Sequence, residues 1–347
     1  MPKVITLGEI MLRLKSPGFE RFFQSPNFEA TFGGGEANVA VSLANFGIET
    51  AFVTALPDNT IGNACISYLK SKDIDTSFIQ RIGERIGIYY LEAGANQRPS
   101  IVIYDRAHSS MATAKIKDFD WDRIFDGAIW FHITGITPAL SEAAADLSLA
   151  AVKKAKDKGL TTSCDYNYRK KLWKYGKTSF EIMPEIIRYI DIGIANEEDC
   201  QLSLGISLGT DDEREGHNNV KIEVDKYKLL CEKVLDAYPN LKMQAITLRE
   251  SISASHNIWS ACIHNRQDFI LSDKYDITHI VDRVGSGDSF SAGLIYGLVN
   301  QMGHQEALDF AVAASCLKHT IIGDANLVSP AEVMHLMKKG GSGRVQR

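Results

Sequence analysis

No apolar run in the sequence reaches the length of about 18 residues that a membrane-crossing helix needs, so no span is expected. Cysteine is sparse and unpaired in pattern. The six residues Cys65, Cys164, Cys200, Cys231, Cys262 and Cys316 are scattered without a Cys-x-x-Cys pair. That excludes a disulfide framework and a zinc ribbon, and suits reduced thiols packed in a cytosolic core. A basic surplus is also missing: the net charge is −5 and the pI about 6.0, which argues against a nucleic-acid binder. The opening run Met1-Pro2-Lys3-Val4-Ile5-Thr6-Leu7-Gly8-Glu9 has no h-region and no cleavage pattern, so a cytoplasmic protein is expected.

Several motifs for phosphate and hydrolytic chemistry are incomplete or absent. Gly176-Lys177-Thr178 imitates the end of a P-loop, but the glycine required five residues before Gly176 is Lys171. Gly285-Ser286-Gly287 does not complete G-x-G-x-x-G, because its last position is Phe290. Neither H-E-x-x-H nor G-x-S-x-G occurs.

What is present is a rhythm. With 347 residues, 45% hydrophobic and 23% charged, the chain can bury one large domain or two smaller ones. Short apolar strands at 4–8, 48–55, 129–133, 161–165, 192–195 and 243–248 alternate with helical periodicity at 36–46, 141–158, 179–189 and 227–237. This alternation predicts an α/β fold with a mostly parallel central sheet covered by helices on both faces. Residues 12–32 and 86–111 break the rhythm and read as inserted β-structure, a discontinuous lid. The body is then expected at 1–11, 33–85 and 112–337, with a solvated loop at 207–223 and a flexible tail at 338–347.

The chemistry concentrates at Gly285-Ser286-Gly287-Asp288, between a strand-like run at 277–281 and an apolar helix at 290–299. Glycines at a strand-to-helix turn let N–H groups converge, and the first-turn donors of a helix attract negative charge. Asp288 in that turn either caps the helix or takes a proton from a substrate hydroxyl. A second cluster, Phe32-Gly33-Gly34-Gly35-Glu36-Ala37-Asn38, enters the first long helix and places the Asn38 amide where it could meet a hydroxyl.

Together, Gly-Gly-x-x-x-Asn at 33–38 and Asp-x-x-Gly-x-Gly-Asp at 282–288 resemble the two signatures of the ribokinase-like carbohydrate kinases, the PfkB family. The resemblance runs from about Val4 to Val333. It implies a Rossmann-like body with a β-lid, ATP with Mg²⁺, and phosphorylation of a sugar hydroxyl. It further implies that Asp288 is the base and that Gly285, Ser286 and Gly287 form the anion hole. Whether K⁺ is also used stays open.

Within the family the chain is most similar to 2-keto-3-deoxygluconate kinases. The segments Ile103-Tyr104-Asp105-Arg106, Asp165-Tyr166-Asn167-Tyr168-Arg169-Lys170-Lys171-Leu172-Trp173 and Lys318-His319-Thr320-Ile321-Ile322-Gly323-Asp324 carry this. A sugar acid wants guanidinium groups that grip a carboxylate with two bonds. The resemblance assigns Tyr104, Arg106 and Arg169 to the substrate, with Gly34, Asn38, Tyr89, Asp288 and Asp324. Glu9 either binds a hydroxyl or caps a turn. For ATP it implies Asn167, Arg169, Asn196, Leu248, Arg249, Ser251, Ser253, Gly285 and Gly287, with Arg106 a second candidate for reaching phosphate. Asn196-Glu197-Glu198-Asp199 looks like the family's Asn-x-x-Glu, and Asp199 would meet Mg²⁺ through water. Glu250 and Ser253 stand where relatives carry glycines, which puts close backbone approach to the nucleotide in question. Arg283 stands where Thr is usual and Ser286 where Ala is usual.

The competing readings are a kinase of a neutral sugar or nucleoside and a catalytically silent sugar-binding regulator. Neither nucleic acid nor membrane is an expected partner, and exposed lid strands favour a homo-oligomer.

Overall fold

Burial on both faces explains why the central strands read as unbroken apolar runs: every residue of Ile192–Ala195 is buried. The computed structural model describes residues 3–208 and 220–338. Its main sheet has nine strands. In order across the sheet they are Phe269–Leu271, His256–His264, Met243–Ser253, Ile192–Ala195, Thr161–Asp165, Ala128–Thr134, Lys3–Leu7 and Glu49–Val53. Tyr275–Ile277 pairs with His256–His264 as well. From Met243–Ser253 to Glu49–Val53 all neighbours run parallel, whereas the pairs made by His256–His264 are antiparallel.

Successive side chains of a strand face opposite ways. Ile5 and Leu7 accordingly join a core with Phe131, Leu147 and Met183, while Val4 joins another with Trp130, Leu294 and Phe310. Helices cover both. Ser141 caps Glu142–Asp157 by accepting the Ala144 amide at 3.0 Å, and Asn196 caps Glu197–Leu204 by accepting that of Asp199 at 2.8 Å. Cys65, Cys164, Cys200, Cys231 and Cys262 are buried and Cys316 half-buried, all as free thiols. Among the described residues no helix is long and apolar enough to cross a membrane.

A separate four-stranded sheet is built from Glu29–Gly33, Met11–Lys15, Gly87–Glu92 and Ile101–Asp105. Met11–Lys15 has an inverted burial pattern: Met11, Arg13 and Lys15 are buried, Leu12 and Leu14 only partly so. Arg13 points inward onto Asp282 and Asp324 of the body, whereas Lys15 pairs with Glu29 of the neighbouring strand at 2.9 Å.

Local boundaries differ from expectation in a few places. The run at 277–281 is no strand beyond Ile277: the Val281 and Asp282 amides instead donate to the carbonyl of His319 at 2.9 and 3.3 Å. The strand expected at 243–248 continues to Ser253, paired in a hairpin with His256–His264. The helix expected from 227 begins at Val220, overlapping the expected loop, of which residues 209–219 lie outside those described. Most of the expected tail, residues 339–347, also lies outside them.

Helices Ser286–Val299 and His304–Lys318 approach closely at Gly293, where an added Cβ would stand 2.7 Å from the Ala311 Cα. Gly293→Val should therefore cost about 1–3 kcal/mol by overpacking. The check is a urea unfolding curve, and an unchanged midpoint would contradict the close approach.

Candidate active site

Parallel strands that end together leave their carboxyl ends on one side, and ligands of open α/β sheets bind there. Glu9 follows Lys3–Leu7, Asp165 ends Thr161–Asp165, and Asn196 follows Ile192–Ala195. Beyond these ends lies a cavity of about 640 Å³.

Its floor includes the start of helix Ser286–Val299. Gly285 is the N-cap, at φ 82°, and an added Cβ would collide with the Asp324 carbonyl, so only glycine fits there. The amides of Gly287 and Asp288 fall in the first turn, where the helix offers no internal acceptor. Asp288 is buried beside them. Burial pushes its carboxyl up to about 6, helped by Asp324 and opposed by Asn38, Arg169 and Lys318. The Asn38 side-chain amide donates to Asp288 Oδ2 at 2.7 Å and accepts from the Gly34 amide at 3.3 Å. Asn38 thus orients Asp288 through one of its two side-chain N–H groups and itself lines the cavity.

The small sheet contributes Tyr89, Tyr104 and Arg106 to the cavity wall. Arg106 stacks over the Tyr104 ring at 5.5 Å and donates through Nε to Glu9 at 2.6 Å. Glu9 also accepts from Ser109, so it neither caps a turn nor stands free: it anchors Arg106. Among the described residues no acceptor engages the two terminal nitrogens of Arg106. Arg169 also lines the cavity, exposed, with one bond to the Tyr168 carbonyl at 2.9 Å.

Tyr89 and Asp324 belong to a network that the sequence did not announce. Arg13, only 2% exposed, donates to Asp324 and, at 2.5 Å, to Asp282. Tyr89 donates to Asp324 at 2.6 Å. Asp282 in turn accepts the amides of Val284 and Gly323, each at 3.1 Å. Burial works against the Arg13 charge, yet Asp324, Tyr89 and Asp282 hold its pKa above the ordinary value. The small sheet is thereby fastened to the turn that carries Asp288.

Further along the cavity, carboxylates and guanidinium groups crowd together. Asp165, also missed, is held well above the usual carboxylate range by burial, then by Asp199 and Asp288. Its position at a strand's carboxyl end was the available signal. Asn167, at φ 38°, lines the wall beside it. Asp199 accepts the amides of Tyr168 and Asn196 at 2.9 and 3.0 Å. Arg249 is exposed on its strand, yet desolvation at the cavity rim, then Arg283 and Arg169, press its guanidinium below the ordinary range against Asp199. Arg283 lines the cavity too, and its buried Nε has no partner among the described residues. Leu248, Asn196, Gly34 and Asp324 are in the wall, whereas Ser251 and Ser253 are not. The reason is the hairpin: Ser251 pairs with Asn257, and the Ser253 hydroxyl accepts the Ser255 amide at its tip.

The description pfkB family carbohydrate kinase matches residues 1–228 and 261–331. A solved structure, the 2-dehydro-3-deoxygluconokinase of Thermotoga maritima, is 47% identical, with 97% of this chain and 100% of its own covered and a TM-score of 0.89. The 2-dehydro-3-deoxygalactonokinase of Haloferax volcanii is 28% identical over 341 residues, 98% of each chain. The 2-dehydro-3-deoxygluconokinase of Thermoproteus tenax is 25% identical over 344 residues, 97% of this chain and 95% of its own.

The raised pKa of Asp288 has a consequence for stability. A carboxyl whose folded pKa exceeds its unfolded value stabilises the fold while protonated, and that contribution is lost as pH rises through about 6. Above that pH, ionised Asp288 costs on the order of 2–3 kcal/mol. Asp288→Asn should therefore melt at a higher temperature than the parent at pH 8 and show no such gain at pH 4. Equal gains at both values would refute the assignment.

Proposed function

Because the chain belongs to the pfkB family of carbohydrate kinases, we propose that it transfers the γ-phosphoryl group of ATP to the terminal hydroxyl of 2-dehydro-3-deoxygluconate. The products are the 6-phospho sugar acid and ADP. The observation that carries the reaction type is the placement of buried Asp288 beside first-turn amides on the floor of a cavity walled by arginines. The choice of acid is supported by 47% identity to the Thermotoga maritima enzyme over its whole length.

Asp288 accepts the hydroxyl proton as the hydroxyl oxygen forms its bond to the γ-phosphorus and the bond to the bridging oxygen of ADP breaks. A carboxylate titrating near 6 is a stronger base than an ordinary one yet still ionised at neutral pH. The Gly287 and Asp288 amides donate to the charge that develops on the phosphoryl oxygens, with Gly285 and Ser286 setting the turn. Arg169, Arg249 and Arg283 supply positive charge for the triphosphate.

Among the described residues no cluster of His, Cys, Asp or Glu is placed to hold a metal alone. Crowded Asp165 and Asp199 still fit a divalent cation that arrives with the nucleotide, and would meet it through water. Bound there, Mg²⁺ neutralises phosphate charge.

The small sheet acts as the cover that brings Tyr104 and Arg106 onto the acid. With Nε fixed by Glu9, Arg106 presents its terminal nitrogens to the substrate carboxylate. Its edge strand Ile101–Asp105 leaves Ile103 exposed, which favours assembly of two copies through this sheet. The Haloferax volcanii relative supports acceptance of the galactonate epimer as well.

An ADP-release assay across both sugar acids, fructose and ribose tests the reading. Turnover of fructose above the keto-acids would overturn the acid assignment, and sugar binding without ADP release would make the protein a regulator. Asp288→Asn should lower kcat by at least ~10²–10⁴-fold. In the parent, kcat/KM should fall as pH drops through about 6, because protonated Asp288 cannot accept the proton. A flat profile down to pH 5 would exclude it as the base. Arg106→Ala should raise KM for the keto-acid roughly 10- to 100-fold, the size of a lost charge-assisted hydrogen bond. An unchanged KM would remove Arg106 from substrate recognition.

A further inference from the structure

Lys318 is a buried cation that the reaction above does not use. It ends helix His304–Lys318 and is 0% exposed, which is rare for a lysine. Its ammonium donates to the carbonyl of Asp282 at 3.3 Å and to that of Ile321 at 3.2 Å. These carbonyls belong to the two turns that meet behind the anion hole, since Gly285 packs on the Asp324 carbonyl. The carboxylates of Asp282, Asp324 and Asp288 and the guanidinium of Arg13 all act on it electrostatically.

Building on the kinase reading, we propose that Lys318 is a positioning residue whose ammonium serves as a tethered monovalent cation, holding the 282–288 turn in the geometry that phosphoryl transfer uses. A lysine ammonium is a point charge with donors and no acceptor, so carbonyls surround it as they would a free ammonium or K⁺ ion. Burial lowers its pKa, while the neighbouring carboxylates favour its charge. An apolar side chain of similar length would leave both carbonyls without this donor and remove one of the cations that, with Arg13 and Arg169, offset the carboxylates. Other bonds hold the turn in place independently. The Ser315 hydroxyl donates to the Ser286 carbonyl at 2.7 Å, and the His319 carbonyl accepts the amides of Val281 and Asp282 at 2.9 and 3.3 Å. The fold therefore has support there without Lys318, and what Lys318 adds is charge at one point.

The test compares Lys318→Ala, which opens space for a small cation, with Lys318→Gln, which keeps donors and drops the charge. Both are assayed as full chains for kcat and KM with ATP and the keto-acid. Amide exchange of the peptide spanning 282–288 is followed in parallel, because it needs no substrate. Each measurement is made in ammonium chloride, potassium chloride and, as an ionic-strength control, tetramethylammonium chloride. Lys318→Ala should lose about 10- to 100-fold in kcat with little change in KM, the scale of a small misplacement of reacting groups. Its 282–288 amides should exchange faster. Ammonium or K⁺ should restore both rate and protection, tetramethylammonium neither, and the parent should respond to none of them. Lys318→Gln should stay slow.

Parent-like kcat in either variant would overturn the proposal, as would loss without rescue by ammonium or K⁺. Failure of both variants to fold with or without ammonium would also overturn it, making Lys318 a requirement of folding. A parent enzyme inactive on every sugar would instead refute the function, and the exchange measurement would still decide the role of Lys318.

Discussion

Placing an ionisable carboxyl in a buried position on a cavity floor is the constraint around which this molecule is arranged. Asp288 must lose most of its hydration to be aimed at a ligand, and an isolated buried carboxylate would simply stay protonated. Partial compensation comes from one hydrogen bond of Asn38 and from more distant Arg169 and Lys318, while Asp324 pulls the other way. The balance leaves the group titrating at about 6, well above an ordinary carboxyl yet ionised at neutral pH. Asn38 and Asp288 lie 250 residues apart, on helices Gly35–Asn45 and Ser286–Val299. The contact between those helix starts sets where the two glycine clusters converge.

The same turn is also where the small sheet is attached. Arg13 could have pointed to solvent from a two-sided strand; instead it is buried between Asp282 and Asp324. A buried pair of this kind is weak support for stability, since desolvation offsets most of the attraction. Its effect is geometric. Arg13 ties the sheet that carries Tyr89, Tyr104 and Arg106 to the residues that place Gly285, so the two sides of the cavity are built on one charged joint. Removing either carboxylate would leave a guanidinium in the interior short of a partner, a larger penalty than the pair's net worth.

Much of this was legible in the sequence, and what was not has a common cause. The alternation of strands and helices gave the layered fold, and the glycine clusters gave the site, because both signals are local. Thr161–Asp165 and Ile192–Ala195 fall where the periodicity put them. The role of Arg13 was hidden, since its partner Asp324 is 311 residues away and its strand alternates with the polar face inward. Period-two reasoning assumes that the buried face is the apolar one. A strand facing a charged cleft reverses that assumption. Glu9 and Asn38 were legible as candidate site residues, but each has a side-chain partner, Arg106 and Asp288, that only the tertiary structure supplies.

The stretch around 248–253 shows how a departure in sequence is absorbed by geometry. Glycines there would let a backbone pass close to a nucleotide, but here the chain stays a strand through Ser253, laddered to His256–His264. Glu250 and Ser251 are exposed on the hairpin, so neither intrudes on the cavity. The family match is interrupted over this same stretch, stopping at 228 and resuming at 261. What faces the cavity instead is charge: Arg249 from the hairpin and Arg283 from the turn before Gly285, both held below the ordinary range by desolvation, with Arg283 lowering Arg249 further. Positive charge gathered there, offset only in part by Asp199 and Asp282, favours an anion. In the proposed reaction the triphosphate is that anion. Its hold on this side of the cavity then depends on side-chain charge, and Arg283 becomes part of the binding surface.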